Sequence, residues 1–162
     1  MSTNAAASPV PRMIGASGFR ARLASIGALL GRFPLGLHQL LFRLAVAGVF
    51  LRTGLQKARG WETTVALFSD EYKLPGFPPE IAAAMATCFE LGCSTLLVLG
   101  LATRVATMPL LGMIVTIQLF VYPQAWPEHL VWGSILVFLL TRGPGALSLD
   151  RLIGMEPQDT SR

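Results

Sequence analysis

Apolar runs of membrane-spanning length constrain this chain more than any other feature. Between Ile81 and Leu101 the one charged side chain is Glu90, and a helix of about 20 such residues crosses a hydrocarbon core of ~30 Å. Comparable runs occupy 35–55 and 105–122, and a fourth, shorter one lies at 127–142 around the core Leu130–Thr141. The expected fold is therefore an all-α membrane protein, a four-transmembrane-helix bundle over 35–154. Composition agrees, since 52% of the residues are hydrophobic and 14% charged, with a mean hydropathy of +0.56, which is too apolar for a soluble domain of this length. Little chain is left for a separate catalytic domain, so any chemistry must sit in the bundle or its loops.

The net charge of +4 does not point to nucleic acid, because the basic residues stand at the ends of apolar runs instead of forming one patch. They read as a topology signal. With the N-terminus inside, Arg12, Arg20, Arg22, Arg32, Arg104, Arg142, Arg151 and Arg162 are inside. Lys57, Arg59 and Lys73 are outside, and Arg43 and Arg52 lie within the first span. Both termini are thus expected on the cytoplasmic side.

Residues 1–17, small and polar with two prolines, are expected to be a disordered tail, and 155–162 form the C-terminal tail. Over 18–34, Leu23, Ile26, Leu30 and Phe33 recur at helical spacing beside Arg20, Arg22 and Arg32, the pattern of a basic interfacial amphipathic helix on an anionic leaflet. The run is too short and too broken by Gly and Ser for a secretory signal. A mitochondrial presequence stays open as an alternative, since no acidic residue precedes Glu62. Between spans one and two, Trp61, Val65, Phe68 and Tyr72 recur at i, i+4, i+7 and i+11. They predict a second amphipathic helix at the outer mouth, ended by the prolines of "KLPGFPP".

Charged groups inside a span each need a reason, because insertion costs about 2.5–3.5 kcal/mol. Counting ~1.5 Å per residue from the inner ends puts Arg43 about 12 Å up, Glu90 about 16 Å, Gln118 about 20 Å and Arg52 about 25 Å. Arg43 is then the expected partner of Glu90, with Arg52 close enough to the outer interface to snorkel and Lys57 starting the outer loop. Thr87, Glu90, Cys93, Ser94 and Leu97 share one side of span two and should face the bundle interior. Two readings of the Arg43–Glu90 pair stand together. It fixes helix register, or it takes up protons or binds a polar head group such as a quinone carbonyl. Gln118 reads as a helix-to-helix hydrogen-bonder.

No metal site is expected. His129, Cys88 and Cys93 are weak candidates, and Met85, Met108 and Met113 form no ligand motif and read as core packing. Gly143-Pro144-Gly145 should stop span four, with Ser148 capping a short helix that carries Asp150 and Arg151. The chain shows no catalytic triad, phosphate loop, haem attachment or zinc pattern.

The segments "LLFRLAVAGVFLRTGLQKARGW", "ELGCSTLLVLGLATR" and "RGPGALSLDRLIG" resemble the DoxX family of small four-helix bacterial membrane proteins, over roughly Leu40 to Gly154. The resemblance implies a bundle in the bacterial inner membrane, which would make the loop helix periplasmic. The family name comes from subunits associated with a thiosulfate:quinone oxidoreductase or terminal quinol oxidase, and other members are linked to redox or thiol-stress complexes. "LFSDEYKLPGFPPE" and "VYPQAWPEHLVW" look most like a branch beside copper and heavy-metal response genes. Matching family positions are Arg43, Gly54, Lys57, Glu90, Gly100, Arg104, Gly145 and Asp150, none of them a proven catalytic residue across the family. The resulting expectation is an accessory membrane subunit of a quinone-linked oxidoreductase or redox-stress complex. It has no cofactor held by motif, a quinone as candidate ligand, and the lipid bilayer and a redox or metal-handling protein as partners. A copper-stress component and a structural scaffold are the alternatives.

Overall fold

The computed structural model describes residues 14–31 and 33–155, and these form helices without a strand. The tail up to position 13, Arg32, the side chains of 14–17, Leu29 and Leu30, and the C-terminal tail from 156 lie outside the described residues. The chain divides into two compact units, 1–33 and 34–162. The first contains α1 (Ile14–Leu30), on which Phe19, Leu23 and Ile26 are exposed.

The second unit starts with α2 (Leu35–Arg59). A short α3 (Trp61–Leu67) follows and runs on into a π-helical turn, Phe68–Tyr72. Next come α4 (Pro79–Leu99), α5 (Thr103–Phe120), a 3-10 turn at Pro123–Ala125, α6 (Trp126–Arg142) and α7 (Leu149–Leu152). Three helices among the described residues are long and apolar enough to cross a membrane, Leu35–Arg59, Pro79–Leu99 and Thr103–Val121. The expected fourth span is α6, whose 17 residues reach about 25 Å at 1.5 Å each, short of the ~30 Å hydrocarbon core.

Boundaries follow local chemistry. Pro79 occupies the first turn of α4, where its missing N–H is not needed. Gly100, at φ 67°, ends that helix while the Leu101 amide bonds back to Leu96 O, a glycine-terminated stop. Ser148 accepts from the Arg151 amide and caps α7, as its spacing predicts.

The bundle has an apolar core with polar groups buried beside it, and an apolar exterior. Val46, Ala47, Phe50, Cys93, Leu97, Ala106, Leu110, Ile114 and Leu136 form the core that joins α2, α4, α5 and α6. Gln39, Arg43, Thr87, Glu90, Ser94, Thr103, Thr107, His129 and Asp150 are buried. Leu41, Leu44, Val105, Met108, Val115, Leu119, Leu130 and Val131 are exposed. In water such an exterior would be an aggregation surface, whereas lipid solvates it. Met85 and Met108 belong to this exterior, at 42% and 57% exposure, and do not pack in the core as expected; Met113 does pack against it. The stripe Thr87, Glu90, Cys93, Ser94 and Leu97 is buried as read from the sequence.

A second apolar cluster, Phe68 with Ala82 and Ala83 and flanked by Val65 and Tyr72, seats the α3 strap on the start of α4. Three of the four residues of the loop periodicity thus turn toward protein, while Trp61 stays 41% exposed.

Candidate functional site

Antiparallel packing of α2 on α4 positions the site. At Gly54 a Cβ would lie 2.9 Å from Glu90 Cβ and 3.0 Å from Leu91 Cδ2, so only glycine lets the two backbones approach this closely. Glu90 is thereby brought level with Gly54, one turn from Lys57. The Lys57 ammonium donates to both carboxylate oxygens, at 2.7 Å and 2.9 Å. Glu90 is 4% exposed and Lys57 15%.

The partner of Glu90 is therefore Lys57 and not Arg43, for two reasons. The helix continues to Arg59, four residues past the expected end of the first span, so Lys57 is a helical residue and not the start of a loop. The helices also do not start at a common level. Gly100, at the end of α4, sits against Arg43, so the first two turns of α2 project beyond α4. From Gly54, Lys57 is about 4.5 Å along the axis and Arg43 about 16 Å. One signal in the sequence could have found Lys57: Arg43, Val46, Phe50, Gly54 and Lys57 recur at three- and four-residue intervals along one helix face.

Arg43 serves a different site. Its guanidinium donates to Leu147 O and, at 3.5 Å, to Leu97 O, and the acidic charge acting on it is Asp150. Asp150 accepts from the amides of Ala102 (2.7 Å) and Thr103 (3.0 Å), capping α5 from a distant part of the chain. Its own amide donates to Gly100 O at 2.9 Å. A Cβ at Gly100 would collide with the Arg43 guanidinium, and one at Gly145 with Gln39. Gln39 in turn donates to Arg142 O (3.1 Å) and Gly143 O (3.3 Å). Arg43, Gly100, Gly145 and Asp150 thus meet at the α7 end of the bundle, away from Glu90.

The remaining candidates disperse. Gln118 pairs with His129 Nδ1 across α5 and α6 at 2.7 Å and donates to Pro123 O at 2.9 Å, a helix-to-helix hydrogen bond as read from the sequence. Arg52 and Arg104 are exposed. Cys88 is exposed and Cys93 buried. Among the described residues no three His, Cys, Asp or Glu side chains are grouped so as to hold a metal ion.

Lys57 and Glu90 form one wall of a cavity of about 530 Å³ between α4, α5 and the strap. Phe68, Tyr72 and Phe89 give it aromatic surface. The strap is clasped to the end of α5, where the Tyr122 phenol donates to Glu71 and the Tyr72 ring meets Tyr122 edge-on at 5.8 Å. Donation to Glu71, then burial, raises the Tyr122 pKa above the ordinary tyrosine value, and burial raises that of Tyr72. Lys57 was a sequence candidate; the cavity was not legible, because its lining comes from four separated segments.

The DoxX family model matches residues 38–123, which include Arg43, Gly54, Lys57, Glu90 and Gly100. The uncharacterized membrane protein Rv3486 of Mycobacterium tuberculosis is 35% identical over 134 residues, covering 67% of this chain and 77% of that protein. No solved structure matches. The chain is a membrane protein that belongs to the DoxX family.

Proposed function

We propose that this protein is an accessory membrane subunit of a quinone-linked oxidoreductase or redox-stress complex, and that its cavity binds the head group of a quinone-like amphiphile at Lys57 and Glu90. The observation that carries this reading is a buried ion pair on the wall of an otherwise apolar, aromatic cavity. Binding sites have this composition, with apolar walls and a few polar groups that fix orientation, at volumes of about 300–1,000 Å³. Because Glu90 neutralises Lys57, the site suits a neutral ring more than an anionic head group. An ammonium has three N–H donors and two go to Glu90, leaving one for a ligand carbonyl. Glu90 can accept from the hydroxyl of the reduced form. Electrons would come from a partner redox protein.

Four spans with both termini cytoplasmic, in the bacterial inner membrane, complete the proposal, with α6 as the short fourth span. The Lys and Arg distribution supports it. Reporter fusions at Arg162 and within 58–80 should report opposite sides, and the same side at both would refute it.

Titrating the protein in phosphatidylcholine nanodiscs with a benzoquinone tests the site. Wild type should bind one equivalent, and Glu90→Gln and Lys57→Met should each weaken binding at least ten-fold, about 1.4 kcal/mol. In cells, Glu90→Gln should lower quinone-linked respiration. Absence of quinone binding by wild type, or unchanged affinity in both variants, would sink the reading.

A further inference from the structure

We infer that the ligand reaches this cavity sideways from the bilayer, through a portal between α4 and α5, and that Gly112 sets the width of that portal. The inference rests on the cavity being an amphiphile site and specifies the class of amphiphile: one whose apolar tail stays in the lipid while its ring reaches Lys57 and Glu90.

The outer mouth is partly covered, with Pro75 and Phe77 of the loop after the strap exposed at its edge. Phe68 is 4% exposed on Ala82 and Ala83. Its ring packs 4.7 Å from that of Tyr72, and the Tyr122–Glu71 hydrogen bond holds the strap down. Met85 on α4 and Gly112 and Phe120 on α5 line the cavity and are exposed, which sets a second opening at its side. Gly112 lies eight residues from the end of α5, about 12 Å along the helix axis, so what surrounds it at that depth is hydrocarbon and not water.

Gly112 has the geometry of a threshold. A Cβ there would meet nothing within 4 Å, so its lack of a side chain is not required by packing and leaves space at the opening. Pro109, also in the lining, lies inside α5 and cannot donate to the carbonyl four residues before it. A larger side chain at Gly112 would project into the opening without disturbing a packed neighbour, and would raise local helix propensity.

Two probes with the same dimethoxy-methyl-benzoquinone ring test the portal, one without a tail and one with a ten-carbon chain. Each is titrated into wild type, Gly112→Leu and Met85→Trp in phosphatidylcholine nanodiscs, with melting temperatures confirming that the variants fold. The expected result is at least a ten-fold loss of affinity for the tailed probe in Gly112→Leu and Met85→Trp, with less than a three-fold change for the tailless ring. If wild type binds both probes and the variants lose neither, or lose both equally, the portal is wrong while the amphiphile site stands. If wild type binds neither probe, the site itself falls and the portal with it. If Gly112→Leu fails to fold, Met85→Trp decides the question from the opposite jamb.

Discussion

The two ends of α2 place cations on the same helix face and use them in opposite ways. Arg43 is 1% exposed and points its guanidinium at main-chain carbonyls of two other segments, with Gly100 packed against it. Lys57, about four turns further along the same face and near the other end, keeps 15% exposure, bonds a single carboxylate and borders a cavity. Both are costly charges in a membrane helix. The Arg43 end resembles a clamp, since a rigid guanidinium fork can tie several carbonyls at once. The Lys57 end resembles a site, since a compact ammonium retains a donor. A charge within a span is therefore not itself a sign of function; what matters is whether it faces main-chain carbonyls of the fold or a cavity.

The largest expected effect tests the clamp. Arg43→Leu removes the donor to Leu147 O and leaves Leu97 O with the Gly100 amide alone, so stability should fall by about 2–3 kcal/mol. Thermal unfolding in detergent would show this, and an unchanged melting temperature would erase the contrast between the two ends. A smaller effect is expected at Lys57 and Glu90. Either Lys57→Met or Glu90→Leu strands the other charge, while the double variant should recover part of the loss, giving a coupling of about 0.5–3 kcal/mol. If the double variant restores stability and also keeps benzoquinone affinity, the pair only fixes helix packing, and the scaffold reading replaces the one proposed.

The smallest effect concerns the strap. The chain has two tyrosines, Tyr72 and Tyr122, so phenolate absorbance reports on this clasp alone. Both should ionise above the ordinary tyrosine value near 10, and Glu71→Gln should lower the Tyr122 titration. The sign follows from linkage: a folded pKa raised above the unfolded one gives stability that is present below the unfolded pKa and lost as pH rises through the folded one. The strap should thus stay closed across neutral pH and loosen only in alkali.

Much of the fold was legible because lipid imposes a simple rule: backbone polar groups must be satisfied within each span, so apolar runs become helices. The burial of the stripe from Thr87 to Leu97 also followed, because side chains three and four residues apart share a face. The pairing of Glu90 did not follow. Depth counted along isolated helices assumes a common starting level, and α2 extends past α4 by two turns because Gln39 and Gly36 pack on the loop after α6. Asp150 as the cap of α5 was equally hidden, since residues nearly fifty positions apart make that contact.

By itself the sequence determined the helices, the membrane as solvent, the family, and the small set of charged and glycine positions that matter. Only the tertiary structure decided which cation meets which acid, and that Arg43 closes a clamp while Lys57 borders a cavity. The physical reason is that local pattern fixes periodicity and burial within one helix. The axial offset between helices is set by long-range packing, here by close approach at Gly54 and Gly100, and no single segment encodes it.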